Sequence, residues 1–187
     1  MKKFLYTSIV ISVSLFALFY SLFKLTDNVI AETLYITFMT FSYHFIMRLV
    51  VGMVTNPIFH KVYDYNNWWF KEKKFEKRFY KILKVKDWKE KAPSWSPGAF
   101  SLKDKSLHNI AVGMCNAELV HEIIVFLSFV PILFSIKYGV PAAFICTSIL
   151  AGAFDMIFVI IQRYNRPRII KLMRKNLKIT HNKIPCS

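Results

Sequence analysis

The amino-acid sequence predicts an all-α integral membrane protein with four transmembrane helices, a cytoplasmic amphipathic loop helix and a basic C-terminal tail. Three observations predict it. The 187 residues are 55% hydrophobic and 17% aromatic, with 18 Phe, and their mean hydropathy of +0.34 is too oily for a soluble domain of this size. Four apolar blocks each approach the ~20 residues that cross a ~30 Å hydrocarbon core. The 26 Lys and Arg, against 11 Asp and Glu for a net charge of +15, are segregated between those blocks. Of these cations 13 lie between Lys61 and Lys105 and 8 between Arg163 and Lys183, which argues against a nucleic-acid partner, whose footprint is a basic stripe on one folded face. With 5 Gly and 7 Pro the chain is neither collagen-like nor disordered. A single domain over residues 1–187 is expected, since four spans occupy roughly 80 positions. Cys115, Cys146 and Cys186 are odd in number and widely spaced, so they imply neither a disulfide framework nor a metal site.

The first span covers about residues 4–23. Lys2 and Lys3 precede it as they would a signal peptide, but the apolar run exceeds the usual ~7–15 residues and no A-x-A cleavage site follows, so an uncleaved span is expected. The second span covers about 33–54, the third 117–136 and the fourth 139–161. The N-terminus, the 55–116 loop and the 162–187 tail together hold 23 cations, against Lys24 and Lys137 in the other two connections. Cations are retained on the cytoplasmic side, so both termini are expected there, in a multi-pass protein of a bacterial cell membrane.

In the loop, Trp68 to Lys91 alternates aromatics and cations. On a helical wheel Trp68, Trp69, Phe75, Phe79, Tyr80, Ile82 and Leu83 share one arc and Lys73, Lys77, Lys81 and Lys84 the other, which predicts an in-plane amphipathic helix. Glu72, Glu76 and Lys86 fall inside the apolar arc and do not fit. Pro93 to Gly98 cannot continue a helix, and Ser106 with Leu107 opens a further segment leading into the third span.

Ionisable groups inside spans are costly and face a bundle interior or wet cavity, so their positions guide the search for a site. Arg48 and Asp155 each lie six residues before the cytoplasmic end of their span, and His44 is one turn deeper than Arg48 on the same face. Two readings stay open for Arg48 and Asp155: a binding site, or ion pairing of Arg48 with Asp155 or with a third-span glutamate that merely holds the bundle together. Glu118, His121 and Glu122 share one helical face at the start of the third span. A carboxylate beside an imidazole fixes its tautomer and raises its basicity, as a general base requires; the alternative is a polar helix start whose acids complement the dipole. Glu-x-x-His occurs once and H-E-x-x-H not at all, so no metal is expected. Gln162 to Arg168 places Arg163, Tyr164, Asn165, Arg166 and Arg168 directly after the fourth span. Such a cluster is either a clamp for phosphate or carboxylate or a basic stop-transfer flank, and Asn165 with Pro167 is expected to break the helix there. His44, His60, His108 and His181 have no local partners at catalytic spacing and read as structural or surface residues, with His44 kept beside Arg48 and Asp155 as a substrate-binding candidate, and no nucleophilic-serine elbow is present.

Ala117-Glu118-Leu119-Val120-His121, the continuation to Pro131, and above all Gln162-Arg163-Tyr164-Asn165-Arg166-Pro167-Arg168 resemble the glycosyl-4,4'-diaponeurosporenoate acyltransferase family. Its members attach a fatty acyl chain to the sugar of a carotenoid glycoside, the last step towards staphyloxanthin-type pigments. The resemblance covers roughly the second half of the chain and, more loosely, the run ending in Val85-Lys86-Asp87-Trp88-Lys89. It implies acyl transfer at the cytoplasmic leaflet, with Glu118 and His121 matching one motif and Arg163, Asn165, Arg166 and Arg168 the other. Glu122, Trp68-Trp69 and Pro93 to Phe100 lie outside the family pattern. The expected mechanism has His121, oriented by Glu118, deprotonating a hydroxyl of an amphiphilic acceptor. The arginine segment would hold the phosphate-bearing head of an acyl-CoA or acyl-carrier-protein thioester. No further cofactor is expected, and membrane lipids are the remaining partners. The alternative is a non-enzymatic membrane protein that binds anionic lipid or acts as a scaffold.

Overall fold

The computed structural model describes residues 2–59, 64–91 and 106–181. Among them the chain is all-helical: α1 (Lys2–Thr26), α2 (Val29–Phe59), a 3-10 turn (Trp68–Phe70), α3 (Lys74–Ile82), α4 (Val85–Trp88), a second 3-10 turn (Lys89–Lys91), α5 (Leu107–Leu127), α6 (Val130–Tyr138) and α7 (Pro141–His181). Four stretches of the described residues are long and apolar enough to cross a membrane: Lys3–Thr26, Val29–Thr55, Leu107–Tyr138 and Pro141–Asn176. The first three contain the expected spans and extend beyond them; the fourth starts at Pro141, two residues after the expected start at 139, and runs on past 161. The expected turn at Pro93 to Gly98, His60 and the end of the tail lie outside the described residues. The chain divides into two compact units, Met1–Thr55 with Val120–Met156 and Asn56–Leu119 with Ile157–Ser187.

In the first unit α1 leaves Phe4, Val10, Ile11 and Leu18 exposed, the apolar outer face a membrane span needs. Its other face supplies Phe16, Tyr20 and Phe23, whose rings contact Tyr35 of α2 at 5.4–6.4 Å. Tyr35, Ile36 and Phe144 form one buried cluster, and Met47, Val51 and Ile124 another. α1 ends at Asp27, which adopts a positive φ, and Asn28 starts α2 by accepting the Ile30 amide on Oδ1 at 2.7 Å.

The third span was expected as one helix over 117–136, but the helix starts ten residues earlier and is interrupted at Ser128 and Phe129. The early start follows from Ser106, whose Oγ accepts the Asn109 amide at 3.2 Å, and from Ile110, Ala111, Met114 and Cys115, which are buried in the second unit. The interruption follows from Pro131, which has no N–H to give to the Leu127 carbonyl four residues back. The Tyr43 hydroxyl of α2 donates to that carbonyl instead, at 3.0 Å. Gly152 of α7 faces the interruption, where a Cβ would meet the Phe129 ring at 3.3 Å, so α7 approaches closely only because this position lacks a side chain. Gly139, at φ +71°, closes α6 with its amide on the Ser135 carbonyl.

Two expectations are corrected in the second unit. The loop segment is not one amphipathic helix: its chain is extended at Lys71 and Lys73, and Lys84 turns left-handed at φ 48°. The Trp88 indole N–H donates to the Leu83 carbonyl at 2.8 Å and stabilises that second break. Nor does the chain break at Asn165-Pro167, because α7 runs through Pro167 to His181. Proline inside a helix costs roughly 3 kcal/mol through a lost hydrogen bond and a clash with the preceding turn. Side-chain bonds from Arg163 and Arg166, on the turn before Pro167, hold the helix to the rest of the unit and offset that cost.

Replacing Tyr43 by Phe strands the Leu127 carbonyl away from water and is expected to lower stability by about 0.5–2 kcal/mol. Thermal unfolding in detergent measures it, and an unchanged midpoint would mean that the carbonyl has another donor.

Candidate functional site

In the first unit α2, α5 and α7 bring three charged or ionisable side chains onto one another. Arg48 donates from Nε to Asp155 Oδ2 at 2.9 Å and also from Nη2, while Nη1 reaches the carbonyl of His44 and Nη2 that of Ala151, both at 3.0 Å. The other oxygen of Asp155 bonds Nδ1 of His121 at 2.9 Å. Asp155 is only 2% exposed, whereas His121 is 24% exposed, so the carboxylate is sealed and the imidazole reaches the surface of the unit. An ionised carboxylate can only accept, so the bond requires the proton on Nδ1, and in the neutral ring the lone pair is then on Nε2. The carboxylate at Nδ1 is therefore Asp155, from a different helix, where the local spacing suggested Glu118. His44, one turn from Arg48, is buried at 2% exposure, and among the described residues neither of its ring nitrogens has a hydrogen-bond partner. Glu122 follows His121 on α5 and is half-buried.

The second unit holds a larger network. Arg163 donates to Glu76 Oε1 from Nε and Nη2 at 3.0 and 2.7 Å, and to Glu118 Oε1 from Nη1 at 2.6 Å. Arg166 bonds the other oxygen of Glu118 and, through Nη2, the Phe70 carbonyl, and it lies over the Phe70 ring at 5.1 Å. Glu118 and Arg166 are 0% and 1% exposed. Two guanidinium and two carboxylate groups thus cancel; the Arg163 fork bonds through all three nitrogens, while the buried Nε of Arg166 has no hydrogen-bond partner among the described residues. The Tyr80 hydroxyl donates to Glu76 Oε2 at 3.0 Å. Burial, and next the Glu76 carboxylate, push this phenol above its ordinary pKa, so it remains a neutral donor. Tyr164 packs edge-on against Tyr80, Asn165 accepts from Lys89 Nζ at 3.1 Å, and Arg168 stacks on Tyr164 at 3.6 Å.

The sequence-derived candidates therefore fall into two groups. Asp155 gathers Arg48 and His121, and Glu118 gathers Arg163 and Arg166. Glu76 was not among the candidates. Its signal was present, however, as a carboxylate inside the apolar arc of the loop helix, because an acid on an apolar face needs a cation from elsewhere. Among the described residues no cluster of three His, Cys, Asp or Glu is arranged to hold a metal ion.

An all-helical membrane protein with a sealed carboxylate that holds an imidazole is the class these features define. Residues 66–175 match the family model for glycosyl-4,4'-diaponeurosporenoate acyltransferase, which is more than half of the chain, and the chain belongs to that family. The match takes in Glu76, Glu118, His121, Asp155 and the arginine segment, and reaches further towards the N-terminus than the resemblance in the motifs; Arg48 and His44 precede it. No curated protein and no solved structure is detectably similar.

Removing one member of a buried ion pair leaves the other uncompensated, so Glu118→Ala is expected to cost about 3–5 kcal/mol. Adding Arg166→Met to it should recover part of that loss, since the stranded guanidinium is gone. Thermal unfolding of the two single variants and the double variant gives the coupling, and strictly additive losses would exclude the pair as a unit.

Proposed function

We propose that the protein is a membrane-embedded O-acyltransferase working at the cytoplasmic leaflet of the bacterial cell membrane. It moves a fatty acyl chain from an acyl-CoA or acyl-carrier-protein thioester to a hydroxyl of a lipidic acceptor such as a carotenoid glycoside. The observation that supports this most is the Asp155–His121 pair: a sealed carboxylate on Nδ1 orients the ring and stabilises the imidazolium that forms when Nε2 takes a proton. Family membership supports the reaction class, and the 23 cations of the termini and the loop support the leaflet.

His121 Nε2 removes the acceptor hydroxyl proton as its oxygen attacks the thioester carbonyl carbon. The tetrahedral intermediate then expels the thiolate, which takes that proton back from His121, giving ester and free thiol. Arg48 has a positioning role, holding Asp155 with its guanidinium so that Oδ1 stays on the imidazole. His44 offers unpartnered ring nitrogens within the same unit, which suit hydrogen bonding to the acceptor, and Glu122 lies beside His121. Glu118, Arg163 and Arg166 are best read as the frame of the second unit, because a charge-balanced network has no surplus to hold a phosphate. Tyr164, Asn165 and Arg168 remain candidates for donor contact. The exposed rings of Trp68, Phe75 and Phe79 support seating of the loop at the headgroup level.

Positioned general bases contribute roughly 10²–10⁴ in rate, so His121→Ala should reduce transfer from a labelled acyl thioester by about that factor in membranes with equal protein levels. Undiminished transfer would overturn the mechanism. Lipid mass spectrometry of cells with and without the gene should show an acylated product that disappears with it; a scaffold or lipid-binding protein would leave the lipid profile free of such a loss.

A further inference from the structure

Among the cations of the second unit that the ion-pair network does not use, three lie close together. Lys171 and Arg174 lie one turn apart on α7, and Lys71 follows the Trp68–Phe70 turn. Together they line a cavity of about 330 Å³ whose apolar wall includes Phe70 and Ile170. Among the described residues none of the three makes an ion pair or a side-chain hydrogen bond. Among the described residues Glu72 is the one carboxylate lining the cavity, and it is directed to Lys77 outside the lining, at 3.7 Å. The volume falls at the small end of the ~300–1,000 Å³ typical of ligand cavities. The position of Lys71 is built rather than incidental. Its neighbour Phe70 is buried, with the carbonyl held by Arg166 and the ring beneath the same guanidinium. Neutralised arginines therefore hold in place the segment that carries an un-neutralised lysine.

We infer that this cavity is a phosphate-binding site, in which Lys71, Lys171 and Arg174 hold the phosphate of a ligand whose apolar part lies against Phe70 and Ile170. Ammonium groups bind phosphate as point charges and the guanidinium binds it as a fork, so the three together suit a single phosphoryl group. Two sources carry that chemistry beside a membrane. One is the nucleotide or pantetheine phosphate of a thioester acyl donor, the other the headgroup of an anionic phospholipid. The first source rests on the acyl-transfer reading, while the site itself does not.

The test uses the full chain in phosphatidylcholine nanodiscs, titrated with coenzyme A, and in parallel nanodiscs doped with phosphatidylglycerol carrying a labelled headgroup. Lys171→Ala combined with Arg174→Ala should weaken binding of one of these probes at least about tenfold, as loss of charge-assisted hydrogen bonds does. Lys175→Ala, which removes the same charge from the next position of α7 outside the lining, should change it less than about twofold, the size of effect screened surface charge gives. Selective loss of coenzyme A binding identifies the thioester as the source, and selective loss of phosphatidylglycerol binding identifies the lipid. Equal losses in the double and the Lys175 variants, or no binding of either probe to the wild-type protein, would overturn the site. Acyl transfer is measured on the same samples: selective binding without any transfer rejects the transferase reading and leaves the site standing, whereas transfer with unselective binding rejects the site alone.

Discussion

A charge taken into a helical membrane protein has to bring its counter-charge with it. The effective penalty for an unpaired buried ion is several kcal/mol, comparable with much of the stability of a small domain. Both polar centres obey this rule through a single carboxylate: Asp155 divides its oxygens between Arg48 and His121, and Glu118 divides its own between Arg163 and Arg166. Asp155 of α7 therefore ties in Arg48 of α2 and His121 of α5, and Glu118 of α5 ties in two arginines one turn apart on α7. Helix packing follows from this, because apolar surface alone gives little direction where lipid is as apolar as leucine.

The two centres differ in what the balance leaves over. Around Glu118 the charges cancel, and Glu118 and Arg166 are almost wholly buried, which suits a frame. Around Asp155 the carboxylate is equally sealed, but its second partner is an imidazole with partial access to the outside. A ring nitrogen can change its protonation at ordinary pH, and a guanidinium cannot. The capacity for proton transfer thus lies with the centre that contains histidine, although the arginine string is the more conspicuous motif in the sequence.

The spans were legible because a run of about twenty apolar residues has few other fates. Their ends were less so, since polar caps and protein burial extend helices past the apolar run, as at Ser106 and Ile110. Arg48 with Asp155 could be anticipated from similar depth in parallel spans. The partners of Arg163 could not, because Glu118 and Glu76 lie 45 and 87 positions away and no local period connects them. Local spacing was misleading at His121: Glu118 is three residues earlier on the same helix, yet the acid that bonds the ring comes from α7. The loop shows the opposite case, in which the residues that spoiled the amphipathic pattern were the informative ones. Glu76 spoils the apolar arc because that side of α3 is turned towards an arginine.

The Leu127 carbonyl shows how one missing proton can link distant parts of a chain. Pro131 withdraws the amide that would have satisfied it, and Tyr43, 84 positions away, supplies a hydroxyl in its place. Among diverging relatives these two positions are not independent. A lineage that exchanges the proline for a residue with an amide releases the tyrosine from its duty, while a lineage that loses the tyrosine first carries a stranded acceptor until the proline also goes. Sequence drift at the two sites should therefore follow a preferred order, with the change in α6 preceding the change in α2.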